Sequence, residues 1–297
     1  MTPSCPNWLR VVLLGLEITV FLPQIWRIWT QKTNTGLSLL YIFLNLLTTT
    51  ERFTAGLLTA VNWTIAGADP PGFFAHTPRT TGDTLNLVQL GIDWVLLLLL
   101  FILCLTYPPP YSPYARLTRI FLAVLYTAFT FISIIPTLAD ALFTIFHEPG
   151  EREPDFGVAI FMGFHIYFLS TLGTLLVICA FIPQAIRLRS LPANSGVVRV
   201  RDWTLQAVVL AMIAVSWIFR VKLPSGEDDV LMPFRSIPWF VRIGWPAGGT
   251  GIFAVVQGGL AVLGMMGRKG VVGGGSGGQA ETDPLLGGTR DGVEEHA

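Results

Sequence analysis

Charge is what this sequence has least of. Only 13% of its 297 residues are Asp, Glu, Lys or Arg, about half the share found in an ordinary soluble domain. That excludes a water-soluble globule. Basic and acidic residues balance at 19 each, so no global excess points to nucleic acid or to a peripheral basic membrane surface. Cysteine is scarce as well: Cys5, Cys104 and Cys179 have neither the spacing of a disulfide framework nor that of a zinc site. There is no His-x-x-x-His, no glycine-rich phosphate loop after a strand and no nucleophile elbow, so neither an enzyme nor a metal or cofactor site is expected. What is abundant is apolar surface. Hydrophobic residues make up 52% of the chain, at a mean hydropathy of +0.60. The few charges fall between long apolar runs, as they must if those runs cross hydrocarbon.

A spanning helix needs about 20 mostly apolar residues, and seven runs qualify: 9–26, 36–61, 84–105, 117–146, 157–182, 203–219 and 245–266. The first is not a signal peptide, because only Arg10 stands for a basic leader, Glu17 lies inside it and no small-residue cleavage site follows. Short cytosolic loops retain Lys and Arg, which orients the bundle. Arg27 and Lys32, Arg116 and Arg119, the group Arg187, Arg189, Arg199 and Arg201, and then Arg268 and Lys269 alternate with loops that hold the acids Glu148, Glu151, Glu153 and Asp155. The N-terminus is then lumenal and the C-terminus cytosolic. The sequon Asn62-Trp63-Thr64, a candidate glycosylation site, falls on the lumenal side. Arg220, Lys222, Arg235 and Arg242 also fall there against the rule, accompanied by Glu227, Asp228 and Asp229.

The strongest signal is an internal repeat. Phe21-Leu22-Pro23-Gln24-Ile25-Trp26-Arg27 at the end of run 1 recurs as Phe181-Ile182-Pro183-Gln184-Ala185-Ile186-Arg187 at the end of run 5. Asn34-Thr35-Gly36 follows the first proline at the offset at which Asn194-Ser195-Gly196 follows the second. Four crossings separate the two Pro-Gln pairs, and an even number returns the chain to the same side, so the repeats are parallel. The expected fold is an all-α polytopic membrane protein of two three-helix units and a linking helix, 3+1+3. It divides into a lumenal N-terminus (1–8), a first repeat (9–106), a linker region (107–156), a second repeat (157–268) and a cytosolic tail (269–297). Parallel repeats are a recurrent transporter plan, with the solute site between the halves.

These motifs resemble the PQ-loop repeat family, which includes cystinosin and the vacuolar and lysosomal exporters of cationic amino acids, with the SWEET sugar transporters more distant. Pro23-Gln24 followed by Lys32-Thr33-Asn34-Thr35-Gly36-Leu37-Ser38 is close to the family pattern. The second copy keeps Pro183, Gln184 and Gly196 but has Val197 and Val198 in place of Leu-Ser. The stretch from Gly36 to Glu51 is similar to fungal members. The resemblance implies an amino acid as leading solute, with a lysosome-like acidic compartment.

Proline within a helix removes a hydrogen bond and weakens it locally. Pro23 and Pro183 are therefore either hinges that open and close a cavity or simple terminators of runs 1 and 5. Gln24 and Gln184 can bond the carbonyls so freed, or bond across helices. Ionisable groups in a bilayer cost about 2.5 to 3.5 kcal/mol on insertion scales and need partners or water. Asn86, Gln89 and Asp93 form one polar stripe at helical spacing; Ser38, Tyr41, Asn45, Thr48 or Thr49, and Arg52 form another. Glu17 shares a face with Gln24, and Glu51 adjoins the second stripe. Two readings stand: Asp93 or Glu51 carries a proton coupled to solute, or one of them forms a buried pair with Arg52. His165 suits the proton task or is a hydrogen-bonded structural residue. Proton-coupled relatives carry an acid in the last helix where Gln257 stands here, so the titrating site has moved to Asp93 or transport is uncoupled.

From Val271 the chain is glycine-rich and polar, a composition that does not order itself. Within it Glu281, Leu285 and Leu286 resemble a dileucine sorting signal read by clathrin adaptors, which favours a vacuolar or lysosomal membrane. The expected partners are thus the bilayer, a small polar solute, protons and a clathrin adaptor, and no nucleic acid. Two rivals remain: a membrane scaffold or sensor that recruits soluble partners, and a SWEET-like sugar uniporter indifferent to Asp93.

Overall fold

A computed structural model describes residues 5–62, 80–108, 115–146, 156–190, 200–220 and 244–273. Among them every regular element is helical: α1 (Asn7–Gln31), α2 (Leu39–Asn62), α3 (Thr81–Thr106), α4 (Ala115–Phe146), α5 (Phe156–Gly163), a π-helical stretch (Phe164–Leu169), α6 (Ser170–Arg189), α7 (Val200–Arg220) and α8 (Trp245–Gly273). Each expected apolar run falls on this series, the fifth being α5, the π stretch and α6 in succession. Within the described residues the helix termini are specified locally. Thr80 opens α3 with a capping box, its hydroxyl accepting from Asp83 N–H at 3.3 Å while the Asp83 carboxylate accepts from Thr80 N–H at 2.9 Å. At the other end of the scale, α1 stops because Lys32 turns left-handed, φ 53°, and sends its N–H to Ile28 O.

Among the described residues six rods are long and apolar enough to cross a bilayer: Asn7–Gln31, Thr81–Thr106, Arg116–Leu142, Phe156–Arg189, Val200–Arg220 and Trp245–Met266. The chain is a multi-pass integral membrane protein. The remaining expected run, 36–61 on α2, is less apolar than these six, and its position explains why. It packs against α3, α4 and α6, and residues around most of its circumference are buried, Thr48, Thr49, Thr50, Glu51, Arg52 and Thr54 included. A helix enclosed by protein does not have to be apolar to lipid. Its threonines satisfy themselves by donating to carbonyls one turn back, as Thr50 does to Leu46 O at 2.7 Å and Thr54 to Thr50 O at 2.9 Å.

The packing has a regular plan. Helix α3 touches both α1 and α2, and α8 touches both α6 and α7; α2 also meets α6, α1 meets α7, and α4 lies on α2. On α4 a row of large apolar residues, among them Leu117, Phe121, Val124, Phe131 and Ile132, faces outward, as suits lipid. Where α2 meets α6 the approach is close: a side-chain carbon on Gly173 would lie 3.3 Å from Thr48 Cγ2, and Thr48 donates to Gly173 O at 2.9 Å. Neither Pro23 nor Pro183 ends its helix; α1 runs on to Gln31 and α6 to Arg189.

Candidate functional site

The two Pro-Gln glutamines reach across helices, the second of the roles open to them. Gln184, on α6 and fully buried, donates from Nε2 to Gly36 O and accepts from Ser38 N–H, both at 2.8 Å. Its amide thus pairs with the backbone of the turn that leads into α2. Gly36 has φ 96°, a conformation that requires glycine, which explains the glycine in the Asn-Thr-Gly sequence. The same turn is held from α3: Asn34 donates its backbone N–H to Tyr107 O at 3.1 Å and its side-chain amide to Cys104 O at 3.3 Å. Gln24 is also buried, but its Oε1 accepts from Gln206 of α7 at 3.1 Å; Gln206 in addition donates to Val20 O at 3.2 Å. The second turn, 194–196, lies outside the described residues.

Further along the bundle axis the polar stripes meet one another. Gln89 of α3 donates to the Glu17 carboxylate of α1, and Arg10 of α1 donates to Asn86 Oδ1 at 3.2 Å and to Cys5 O at 3.2 Å. Gln257 of α8 donates to the Tyr41 hydroxyl at 2.6 Å, and Asn45 donates to Tyr41 O at 2.8 Å. On α2, Glu51 pairs not with Arg52 but with His165 of the π-helical stretch, whose Nδ1 lies 2.9 Å from both carboxylate oxygens. One extra residue per turn at that point is a frequent mark of functional sites, and it brings His165 inward, 1% exposed, while Phe164 and Phe168 face out. Asp93 is buried on α3, and Arg220, at the end of α7, sits 4.7 Å above the Trp217 ring. Of the pairs expected with Arg52, the one with Glu51 is replaced by Glu51–His165.

Several buried polar atoms in this zone have no hydrogen-bond partner among the described residues: Glu17 Oε1, Asn45 Oδ1, Asn86 Nδ2, Gln257 Oε1, Arg52 Nη2 and all three guanidinium nitrogens of Arg220. Such atoms are rare in proteins and ask for water or a ligand. Arg10, Gln206 and Arg220 were not legible as site residues, since an isolated polar residue near a span end is usually interfacial; Arg220 in particular reads as a loop charge, and Asn34 stood out in the repeat without a role. The sequon residues Trp63 and Thr64, the loop charges beyond Arg220, and Glu281, Leu285 and Leu286 lie outside the described residues. No group of three or more His, Cys, Asp or Glu that could hold a metal occurs among the described residues.

The PQ loop repeat family model matches residues 7–65, which takes in α1, the Gly36 turn and α2. No curated protein and no solved structure matches the chain. That likeness is confined to the segment that carries Pro23, Gln24 and the Gly36 turn, which is similar to the PQ loop repeat.

Proposed function

We propose that this protein is a seven-span transporter that moves a small polar solute by alternating access between two parallel three-helix units, α1–α3 and α5–α8, with α4 as the linker. The contact plan supports the reading: in each unit the third helix touches the first two, and the contacts between units, α2 with α6 and α1 with α7, exchange when the units are exchanged. The single observation that carries it is the set of unfilled buried polar atoms where the units meet, Asn45 Oδ1, Gln257 Oε1 and Arg52 Nη2 foremost. A bundle that served only as a scaffold gains nothing from leaving them unpaired.

Pro23 and Pro183, each within the first helix of its unit, weaken that helix where bending would open or close the cavity. Gln184 joins the units at the end bearing Lys32 and Arg187, which the basic residues make cytosolic, so in this arrangement that end is latched. Glu51 belongs to one unit and His165 to the other. A proton gained or lost by this pair would act directly on the surface along which the units move, a natural place for coupling. Family resemblance makes an amino acid the leading solute, and the tail motif at Glu281, Leu285 and Leu286 favours a vacuolar or lysosomal membrane.

The test is flux. Purified protein in liposomes with an acidic interior is offered labelled amino acids and sugars. Transport of an amino acid that collapses in Pro183→Ala supports the reading. Sugar flux unchanged in Asp93→Asn selects the uniporter instead, and absence of flux for every solute, with a soluble protein captured by the cytosolic loops, selects the scaffold.

A further inference from the structure

Most of the buried ions have a bonded partner: Arg10 donates to Cys5 O and Asn86, Glu17 accepts from Gln89, and Glu51 is bonded to His165. Arg220, whose guanidinium makes no hydrogen bond among the described residues, lies over the Trp217 ring. Arg52 is 5% exposed, yet among the described residues no hydrogen bond or ion pair reaches it, and its Nη2 is sealed from solvent without a partner. Burying an unpaired guanidinium is costly enough that a counter-charge is implied.

The guanidinium lies against Gly249 of α8. A side-chain carbon there would overlap Nη2 and Cζ and come within 2.9 Å of Nε, so the missing side chain is what makes room for the charge. Gly249 is the fifth residue of α8, which starts at Trp245, and among the described residues no acid is bonded to the guanidinium that lies against it. A planar oxyanion that accepts two parallel bonds is the natural complement of an arginine fork.

Seven residues back along α2 stands Asn45, and eight residues on along α8 stands Gln257; the two are joined through Tyr41. Both keep an unfilled buried acceptor, Asn45 Oδ1 and Gln257 Oε1. On two antiparallel helices these steps lead the same way, about 10 to 12 Å from Arg52 at 1.5 Å per residue. Helices α2 and α8 do not pack backbone to backbone; side chains bridge them, Arg52 to Gly249 at one end and Gln257 to Tyr41 at the other. The first end asks for an anion and the second for hydrogen-bond donors. We propose that the space between α2 and α8 binds an elongated solute whose carboxylate is held by Arg52 at the Gly249 notch and whose donor-bearing end reaches Asn45 and Gln257. This deepens the transporter reading and rests on it for its meaning, although the binding itself does not require transport.

The probes are 6-aminohexanoate, which has both ends at about the right separation for two helical turns, its carboxamide, which lacks the charge, and hexanoate, which lacks the donor. Thermal unfolding of the full chain in micelles, without any gradient, reads their binding. The expected result is stabilisation by 6-aminohexanoate, weaker stabilisation by hexanoate, and an affinity for the carboxamide at least about thirtyfold lower, the loss typical when one partner of a buried charged pair is removed. Arg52→Gln erases the preference. Gly249→Ala does the same by displacing the guanidinium, and because the displaced atoms are the free end of a flexible side chain it leaves the fold intact. Equal stabilisation by acid and carboxamide, no effect of 6-aminohexanoate, or an unchanged response in both variants overturns the proposal. Binding that persists while liposomes show no flux sinks the transporter and keeps the site; flux that persists without this binding does the reverse.

Discussion

The Gln184 latch yields a quantitative expectation. In Gln184→Ala the carbonyl of Gly36 and the N–H of Ser38 both lose their partner at once. An orphaned buried backbone group costs about 1 to 3 kcal/mol; Gly36 is buried, but Ser38 is half-buried and recovers part of its loss from water. The sum is about 2 to 4 kcal/mol against the latched arrangement, an increase of roughly 30- to 1,000-fold in the population with the turn released, at 1.4 kcal/mol per factor of ten. A native reporter is at hand. Cys104 is fully buried and its carbonyl holds Asn34 of the same turn. With Cys5 and Cys179 replaced by serine, modification of Cys104 by a maleimide reagent follows the released population when closing is faster than reaction. The rate is expected to rise at least thirtyfold in Gln184→Ala and to stay unchanged in Thr30→Val, whose hydroxyl is exposed and bonds only within its own helix. Gln184→Glu sharpens the test. An ionised carboxylate can accept from Ser38 N–H but faces Gly36 O with a second acceptor; once protonated it can donate there. The thiolate is the reacting form, so labelling slows with falling pH in every variant; that of Gln184→Glu, taken as a ratio to the parent at the same pH, should slow further. A change below about threefold in Gln184→Ala, or a Gln184→Glu to parent ratio that does not vary with pH, would refute the latch.

Three further outcomes are expected. Removing one member of the Glu51–His165 pair, by Glu51→Leu or His165→Phe, should destabilise the protein by about 3 to 5 kcal/mol, whereas the double replacement should recover most of that loss, since a buried pair costs much to break and little to replace; additive losses in thermal unfolding would show that the pair is not coupled. Gly36→Ala forces an alanine to φ 96° and should cost about 1 to 2 kcal/mol, read as a lower unfolding midpoint together with faster Cys104 labelling. Pro183→Ala restores a helical hydrogen bond, so it should raise the unfolding midpoint while lowering flux, and a variant that transports normally would remove the hinge from the mechanism.

The helices of this protein were legible from its sequence because the signal is local: twenty apolar residues in a row span hydrocarbon whatever surrounds them, and the Pro-Gln, Asn and Gly positions repeat in register. The same locality explains why α2 reads as one run among the others, although its polar residues reveal an enclosed helix. Tertiary structure decided which polar groups meet. Glu51 and Arg52 are neighbours in sequence but point about 100° apart on a helix, so one meets His165 and the other the bare backbone of Gly249, and no pattern within α2 distinguishes a paired charge from an unpaired one. Gln184 and Gly36 are equally beyond sequence reasoning, being 148 residues apart and joined only because α6 packs on α2. Hydropathy fixes what enters the bilayer; the facing of one helix toward another, set by packing across the whole bundle, determines which buried groups find a partner and which are left waiting for one.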